Sequence, residues 1–172
     1  MKKRFIKNLL PDYEFAKITK ISQDFFTGAK LIIFDVDNTL FFSETTIIEK
    51  EIIDWFLSIN QKYNCVLLSN SPTIAKRKEK ISELLGREVF LSRRKKPSKI
   101  LFEEIRKKFK LNNSDKVFVV GDRITTDVLF GNRNNAITVL VEPLSKKEEL
   151  FIIKIIRTFE NFVFLFLKFF NK

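Results

Sequence analysis

Asp35 and Asp37 stand one residue apart at the end of an apolar run, Leu31-Ile32-Ile33-Phe34, and Asn38 and Thr39 follow directly. Two carboxylates this close repel each other, and a bound cation relieves the repulsion. Ligands that are all oxygen suit Mg²⁺. Against a phosphate ester, one carboxylate can attack phosphorus while the other carries the proton of the leaving group. The plainer reading of the same residues is a strand ending in an Asx-rich turn. A run apolar on both faces fits a strand buried in a parallel sheet, and open α/β sheets place their chemistry at the C-terminal ends of such strands.

Three more sites occupy equivalent positions. Ser69-Asn70 follows the apolar residues 66–68 and offers a hydroxyl and an amide to phosphate oxygens. Lys96 follows residues 89–91 and offers a fixed positive charge. Gly121-Asp122 follows residues 117–120 and, with Asp127, adds two carboxylates. Each has an ordinary reading as a helix cap, a solvated basic run or a turn. In a parallel sheet all four would lie on one edge, and their occurrence together in this order favours chemistry.

The elements that must position them are legible. Strands are predicted at 31–34, 66–68, 89–91, 117–120 and 137–141. A helix over about 47–60 places Ile48, Ile52, Trp55, Phe56 and Ile59 on one face. Ser71-Pro72 has the form of a helix start, and that helix stops at Gly86. Pro97 opens another, ending near Lys110, and Thr125 or Thr126 caps a short one that closes at Gly131-Asn132. Residues 12–28 read as irregular or weakly helical. Alternating strands and helices predict a doubly wound α/β domain.

The 172 residues suffice for one domain with a full core, and 45% hydrophobic with 31% charged residues is a globular composition. The single Cys65, within an apolar run, excludes an internal disulfide and reads as a small core residue. The absence of His removes His-based triads and most zinc chemistry. A net charge of +11 implies an acidic partner: nucleic acid, an anionic membrane or a phosphorylated substrate. A bias towards Lys, Asn, Ile and Phe also arises from an AT-rich genome alone. The basic residues 1–7 lack the long apolar core of a signal peptide. Residues 146–172 are rich in Phe, with Lys154, Arg157, Asn161 and Lys168 in a narrow polar stripe. This pattern fits either an amphipathic helix at a membrane interface or a helix packed on the sheet or in a dimer interface.

Asp35-x-Asp37-x-Thr39, Ser69, Lys96, and Gly121-Asp122 with Asp127 resemble the haloacid dehalogenase (HAD) phosphatase signature. Leu9-Leu10-Pro11-Asp12, Ser69-Asn70-Ser71, Lys96-Pro97, and Gly131-Asn132-Arg133 narrow the resemblance to the YqeG branch of subclass IIIA. That branch includes the phosphatidylglycerophosphate phosphatases of bacteria, mitochondria and plastids. The family usually has Gly where this chain has Asn135, which implies a left-handed backbone there.

The resemblance implies a three-layer HAD-like Rossmannoid with a parallel five-stranded sheet, order 5-4-1-2-3 in the numbering of the predicted strands, and no large cap domain. Residues 1–29 would form a basic segment on or near the core, 30–145 the phosphatase core, and 146–172 the C-terminal helix. Asp35 is implied as nucleophile and Asp37 as general acid and base. Mg²⁺ is implied at Asp35, Asp122, Asp127 and the main-chain carbonyl of Asp37. Ser69, Asn70 and Lys96 are implied to bind the phosphoryl group. The expected substrate is phosphatidylglycerophosphate at an anionic membrane surface, with the protein peripheral on the inner face of a bacterial or organelle membrane and no obligate nucleic acid. The rival expectations are a phosphatase for nucleic-acid ends or phosphoproteins, and a basic binding protein for anionic lipid or RNA.

Overall fold

Apolar runs with β-branched residues on both faces form the centre of the structure, a computed structural model that describes residues 8–144. The expectations for residues 1–7 and for a helix over 146–172 lie outside the described residues. Five parallel strands, β1 (Tyr13–Phe15), β2 (Leu31–Asp35), β3 (Cys65–Leu68), β4 (Val117–Gly121) and β5 (Ile137–Val141), are arranged in the order β1-β5-β4-β2-β3.

Alternation along β2 and β4 feeds two cores. Ile32, Phe34, Phe118 and Val120 face one side with Ile52, Phe56 and Ile59 of α1 (Lys50–Lys62) and Ile81 and Leu85 of α2 (Ile74–Leu85). Leu31, Ile33, Val117 and Val119 face the other with Leu101, Phe102 and Ile105 of α3 (Lys99–Lys108) and Phe130 of α4 (Leu129–Asn132). The result is three layers, helix–sheet–helix. Among the described residues no helix is long and apolar enough to cross a membrane.

Four of the five predicted strands form in the predicted neighbour order. The segment read as irregular instead supplies β1 and two short 3₁₀ turns, Ile18–Lys20 and Gln23–Phe26. A three-residue edge strand is too short to show an alternation, which hid it in the sequence. Residues 89–91 contribute only an isolated bridge, Leu67 to Val89, so that edge ends short of a fifth predicted strand.

Motif residues away from the C-terminal ends of the central strands have structural work. Asp12 Oδ2 accepts hydrogen bonds from Thr138 N at 2.8 Å and Thr138 Oγ1 at 2.9 Å, while Asn132 Nδ2 donates to Asn8 O at 3.0 Å and Leu10 O at 2.8 Å. These contacts fasten the N-terminal segment to β5 and to α4. A side chain at Gly131 would collide with Thr138 on β5, so α4 packs this closely only because residue 131 is Gly. Asn135 has φ 58°, the left-handed backbone expected there. Buried Cys65 has its thiol pushed up to about 12 by burial, in keeping with a core role.

Asp12→Ala removes a charged acceptor that holds β1 beside β5. Because Asp12 is exposed, the expected loss is about 1–2 kcal/mol, at the lower end for hydrogen bonds to charged groups. Urea unfolding should show the midpoint fall at unchanged slope, and an unmoved midpoint would contradict this role.

Candidate active site

The sheet changes direction of winding between β2 and β4, and a crevice opens at such a point beyond the strand ends. Phe34 pairs with Val120 and Asp35 with Leu68. Asp35 therefore stands beside Gly121, with Asp122 one residue past the end of β4 and Ser69 one residue past the end of β3. The register alone brings three of the four predicted sites to one level.

Lys96 arrives from the loop before α3. Its Nζ contacts Asp35 Oδ1 and lies 2.6 Å from Asp127 Oδ1, and all three residues are buried. Asp127 is presented by a π-helical turn, Ile124–Val128, in which Asp127 N and Val128 N both donate to Arg123 O. Its second oxygen accepts from Arg123 N at 3.1 Å. A side chain at Gly121 would overlap the Asp127 carboxylate, so the Gly of Gly121-Asp122 makes room for a residue six positions later. Thr39 Oγ1 lies 3.3 Å from Asp35 Oδ2 and 3.5 Å from Asp122 Oδ1, bridging two carboxylates.

One ligand oxygen each from Asp35, Asp122 and Asp127 lie within 4.8 Å of one another. Three carboxylates against one ammonium leave two formal negative charges in a buried space, which one divalent cation would balance. The all-oxygen donor set fits a hard cation of the Mg²⁺ type. Burial pushes Asp35 well above the ordinary carboxylate range; Asp127 and Asp122 add to the rise and Lys96 opposes it. Burial works against the Lys96 charge, but Asp127 and Asp35 outweigh it and hold the group firmly as an ammonium.

Asp37 lies apart from this cluster. Ser69 Oγ donates to its Oδ2 at 2.6 Å, while Arg77 Nη2 and Glu44 N donate to its Oδ1 at 2.8 and 2.9 Å. The chain after β2 turns sharply, with Leu40 N and Phe41 N both donating to Val36 O, and then doubles back through a tight turn, Phe42 N to Ile47 O at 3.0 Å. This compact flap and the few residues after it make up the whole connection from β2 to α1. Asn70 points elsewhere: its amide brackets the Lys96 backbone, accepting from Lys96 N at 2.8 Å and donating to Lys96 O at 2.9 Å. It positions the loop that carries Lys96.

Sequence reasoning missed Arg77 and Glu44. Arg77 is buried on α2, and besides Asp37 its guanidinium reaches Thr45 O at 2.7 Å and Thr73 Oγ1 at 3.1 Å. Glu44 takes a positive φ of 59° and accepts from Ser71 Oγ at 2.8 Å and from Thr73 Oγ1. A signal for Arg77 was present. It falls among Ile74, Ile81 and Leu85 on the apolar face of its helix, where a lone cation needs a buried anionic partner. Glu44 has no such signal, because its role depends on a left-handed turn in a loop.

A family model described as "Mitochondrial PGP phosphatase" matches residues 3–144. The phosphatidylglycerophosphate phosphatase 1, chloroplastic/mitochondrial, of Arabidopsis thaliana is 45% identical over 76 residues, 44% of this chain and 21% of that protein's length. The chain thus aligns with only about a fifth of the plant protein. The probable phosphatase YqeG of Bacillus subtilis (strain 168) is 33% identical over 122 residues, 70% of this chain and 69% of that protein.

The raised proton affinity of Asp35 has a definite sign. In chelator, folded Asp35 keeps its proton to higher pH than unfolded Asp35 does. Its contribution to stability is full below the ordinary carboxylate range and is lost as pH rises through the raised value. Asp35→Asn removes that loss. The melting temperature of Asp35→Asn minus that of wild type should be small at acid pH and grow towards neutrality, and a difference that does not vary with pH would contradict the assignment.

Proposed function

Since the chain belongs to the phosphatidylglycerophosphate phosphatase family, which includes YqeG, we propose that it is a Mg²⁺-dependent phosphomonoesterase that dephosphorylates phosphatidylglycerophosphate at a membrane surface. The observation that carries the chemistry is the buried cluster of Asp35, Asp122 and Asp127 around Lys96, at the strand edge where a sheet of this winding opens.

Asp35 attacks phosphorus through a carboxylate oxygen, the bond from phosphorus to the ester oxygen breaks, and an aspartyl-phosphate forms. Asp37 gives its proton to the departing alkoxide. Asp37, now a carboxylate, takes a proton from water; that water attacks phosphorus, and Asp35 and inorganic phosphate are released. Mg²⁺ held by Asp35, Asp122 and the main-chain carbonyl of Asp37, with Asp127 in support, would offset charge on the phosphoryl oxygens. Lys96 adds a positive charge beside Asp35, and Ser69 offers a hydroxyl at the same edge. Arg77 and Glu44 N hold Asp37 in a different setting from Asp35, so two carboxylates of one motif take different roles.

The substrate assignment draws on the relatives and on the open edge. The flap between β2 and α1 carries exposed Ile47 and is too short for a cap, which suits a phosphate on a bulky molecule or surface. The net charge of +11 suits an anionic membrane, with the protein peripheral on the inner face. The same openness and charge would also serve a phosphorylated nucleic-acid end.

Asp35→Asn should lower turnover of a small aryl phosphate by several orders of magnitude, and a variant that keeps a large fraction of activity would refute the mechanism. In a substrate panel, vesicle-borne phosphatidylglycerophosphate should be hydrolysed far faster than a 5′-phosphorylated oligonucleotide or a phosphopeptide. The reverse order would keep the chemistry and overturn the lipid assignment.

A further inference from the structure

The loop that delivers Lys96 carries more than Lys96 needs. Leu91 is 45% exposed, and Arg93, Arg94 and Lys95 are all exposed. Among the described residues none of these three cations forms an ion pair. The loop is nonetheless held in place. Phe90 N donates to Leu67 O at 2.8 Å, Ser92 Oγ to Glu104 Oε2 at 2.6 Å, Arg94 N to Ser92 Oγ at 2.9 Å, and Lys96 N to Asn70 Oδ1 at 2.8 Å. Lys99 and Ile100, in the first turn of α3, are also exposed, Ile100 at 54%.

We propose that Leu91, Arg93, Arg94, Lys95, Lys99 and Ile100 form a docking surface for anionic lipid, placed beside the catalytic edge. The order along the chain is one apolar residue, four basic residues and one apolar residue. A bilayer interface accepts both parts at once: cations settle among headgroup phosphates, and the flanking Leu and Ile enter the acyl boundary. Single exposed aliphatic side chains are common on protein surfaces, but here Leu91 and Ile100 flank a run of exposed cations at both ends. A single-stranded nucleic acid would call for aromatic stacking platforms, which this surface lacks. Its position has a mechanistic consequence. Lys95 adjoins Lys96, whose Nζ touches Asp35, so a lipid phosphate gathered at this surface meets the nucleophile without leaving the bilayer.

This inference rests on the reading of the site as a lipid phosphatase, and binding measured apart from turnover keeps the two separable. The full chain is sedimented with phosphatidylcholine vesicles, with and without phosphatidylglycerol. The variants are Arg93→Gln/Arg94→Gln/Lys95→Gln and, as an equal-charge control, Lys30→Gln/Lys62→Gln/Lys116→Gln. The control lysines precede β2, β3 and β4 and so lie towards the opposite end of the strands. One cation near an anionic surface contributes about a fivefold gain in partitioning, so the loop variant should bind phosphatidylglycerol vesicles about a hundredfold more weakly than wild type. The control should lose far less, and circular dichroism should show both variants folded. Equal losses would reduce the effect to net charge and overturn the proposal. So would an unchanged loop variant, or one that loses affinity for a single-stranded oligonucleotide while keeping its vesicles. Loss of vesicle binding in a protein that does not hydrolyse phosphatidylglycerophosphate would uphold the surface and refute the substrate.

Discussion

An ammonium buried almost completely from water survives only where anions surround it, and Lys96 sits between Asp35 and Asp127 for that reason. Removing the ammonium would strand the buried carboxylates that face it, a loss that typically costs about 3–5 kcal/mol, whereas Lys96 keeps Asp127 when Asp35 is neutral. Four separate stretches therefore have to arrive together: the end of β2, the end of β4, the π-helical turn after it, and the loop before α3. Gly121 follows from this requirement, since any side chain there would displace Asp127. So does the Asn70 amide, which fixes both backbone polar groups of Lys96.

The cluster remains negative after Lys96 has been counted, and that excess gives the site its chemical direction. It favours a divalent cation and, with it, a phosphoryl group whose own charge needs cover. Asp37 escapes this environment although it is only two residues from Asp35. The sharp turn after Val36 sends it to Ser69, Arg77 and the Glu44 backbone. One short motif thus yields two carboxylates in unlike surroundings, one crowded by like charge and one ringed by donors. A divalent cation in the crowded cluster would relieve the like charge around Asp35 and favour its ionised, attacking form, which leaves Asp37, outside the cluster, as the separate proton carrier.

Much of this was legible in the sequence because it depends on periodicity and on strand ends. The runs at 31–34, 66–68 and 117–120 are apolar on both faces, as fully buried parallel strands require, and their C-terminal neighbours are the residues that meet in the crevice, while the run at 137–141 is marked by its β-branched residues. What escaped depends on contacts that no local pattern encodes. The edge strand Tyr13–Phe15 forms because Asp12 finds Thr138, a partner 126 residues away. Residues 89–91 read as a strand and yield one bridge, since the chain leaves the sheet after Val89 to bring Lys96 inward. Asn70 has a phosphate-binding position by pattern, yet its amide is spent on the Lys96 loop. Arg77 was visible only as an anomaly, a cation on an apolar helix face whose partner lies 40 residues upstream.

The central claim is that Asp35 is the group that takes the phosphoryl transfer, with its crowded, partly neutralised setting serving that end. Rapid acid quenching during turnover of a ³²P-labelled phosphomonoester, followed by peptide mapping, addresses it directly. The account predicts label that is acid-stable, released by hydroxylamine as expected of an acyl phosphate, and confined to the peptide containing Asp35. Label on another carboxylate, or none on the protein while substrate is being consumed, would contradict it.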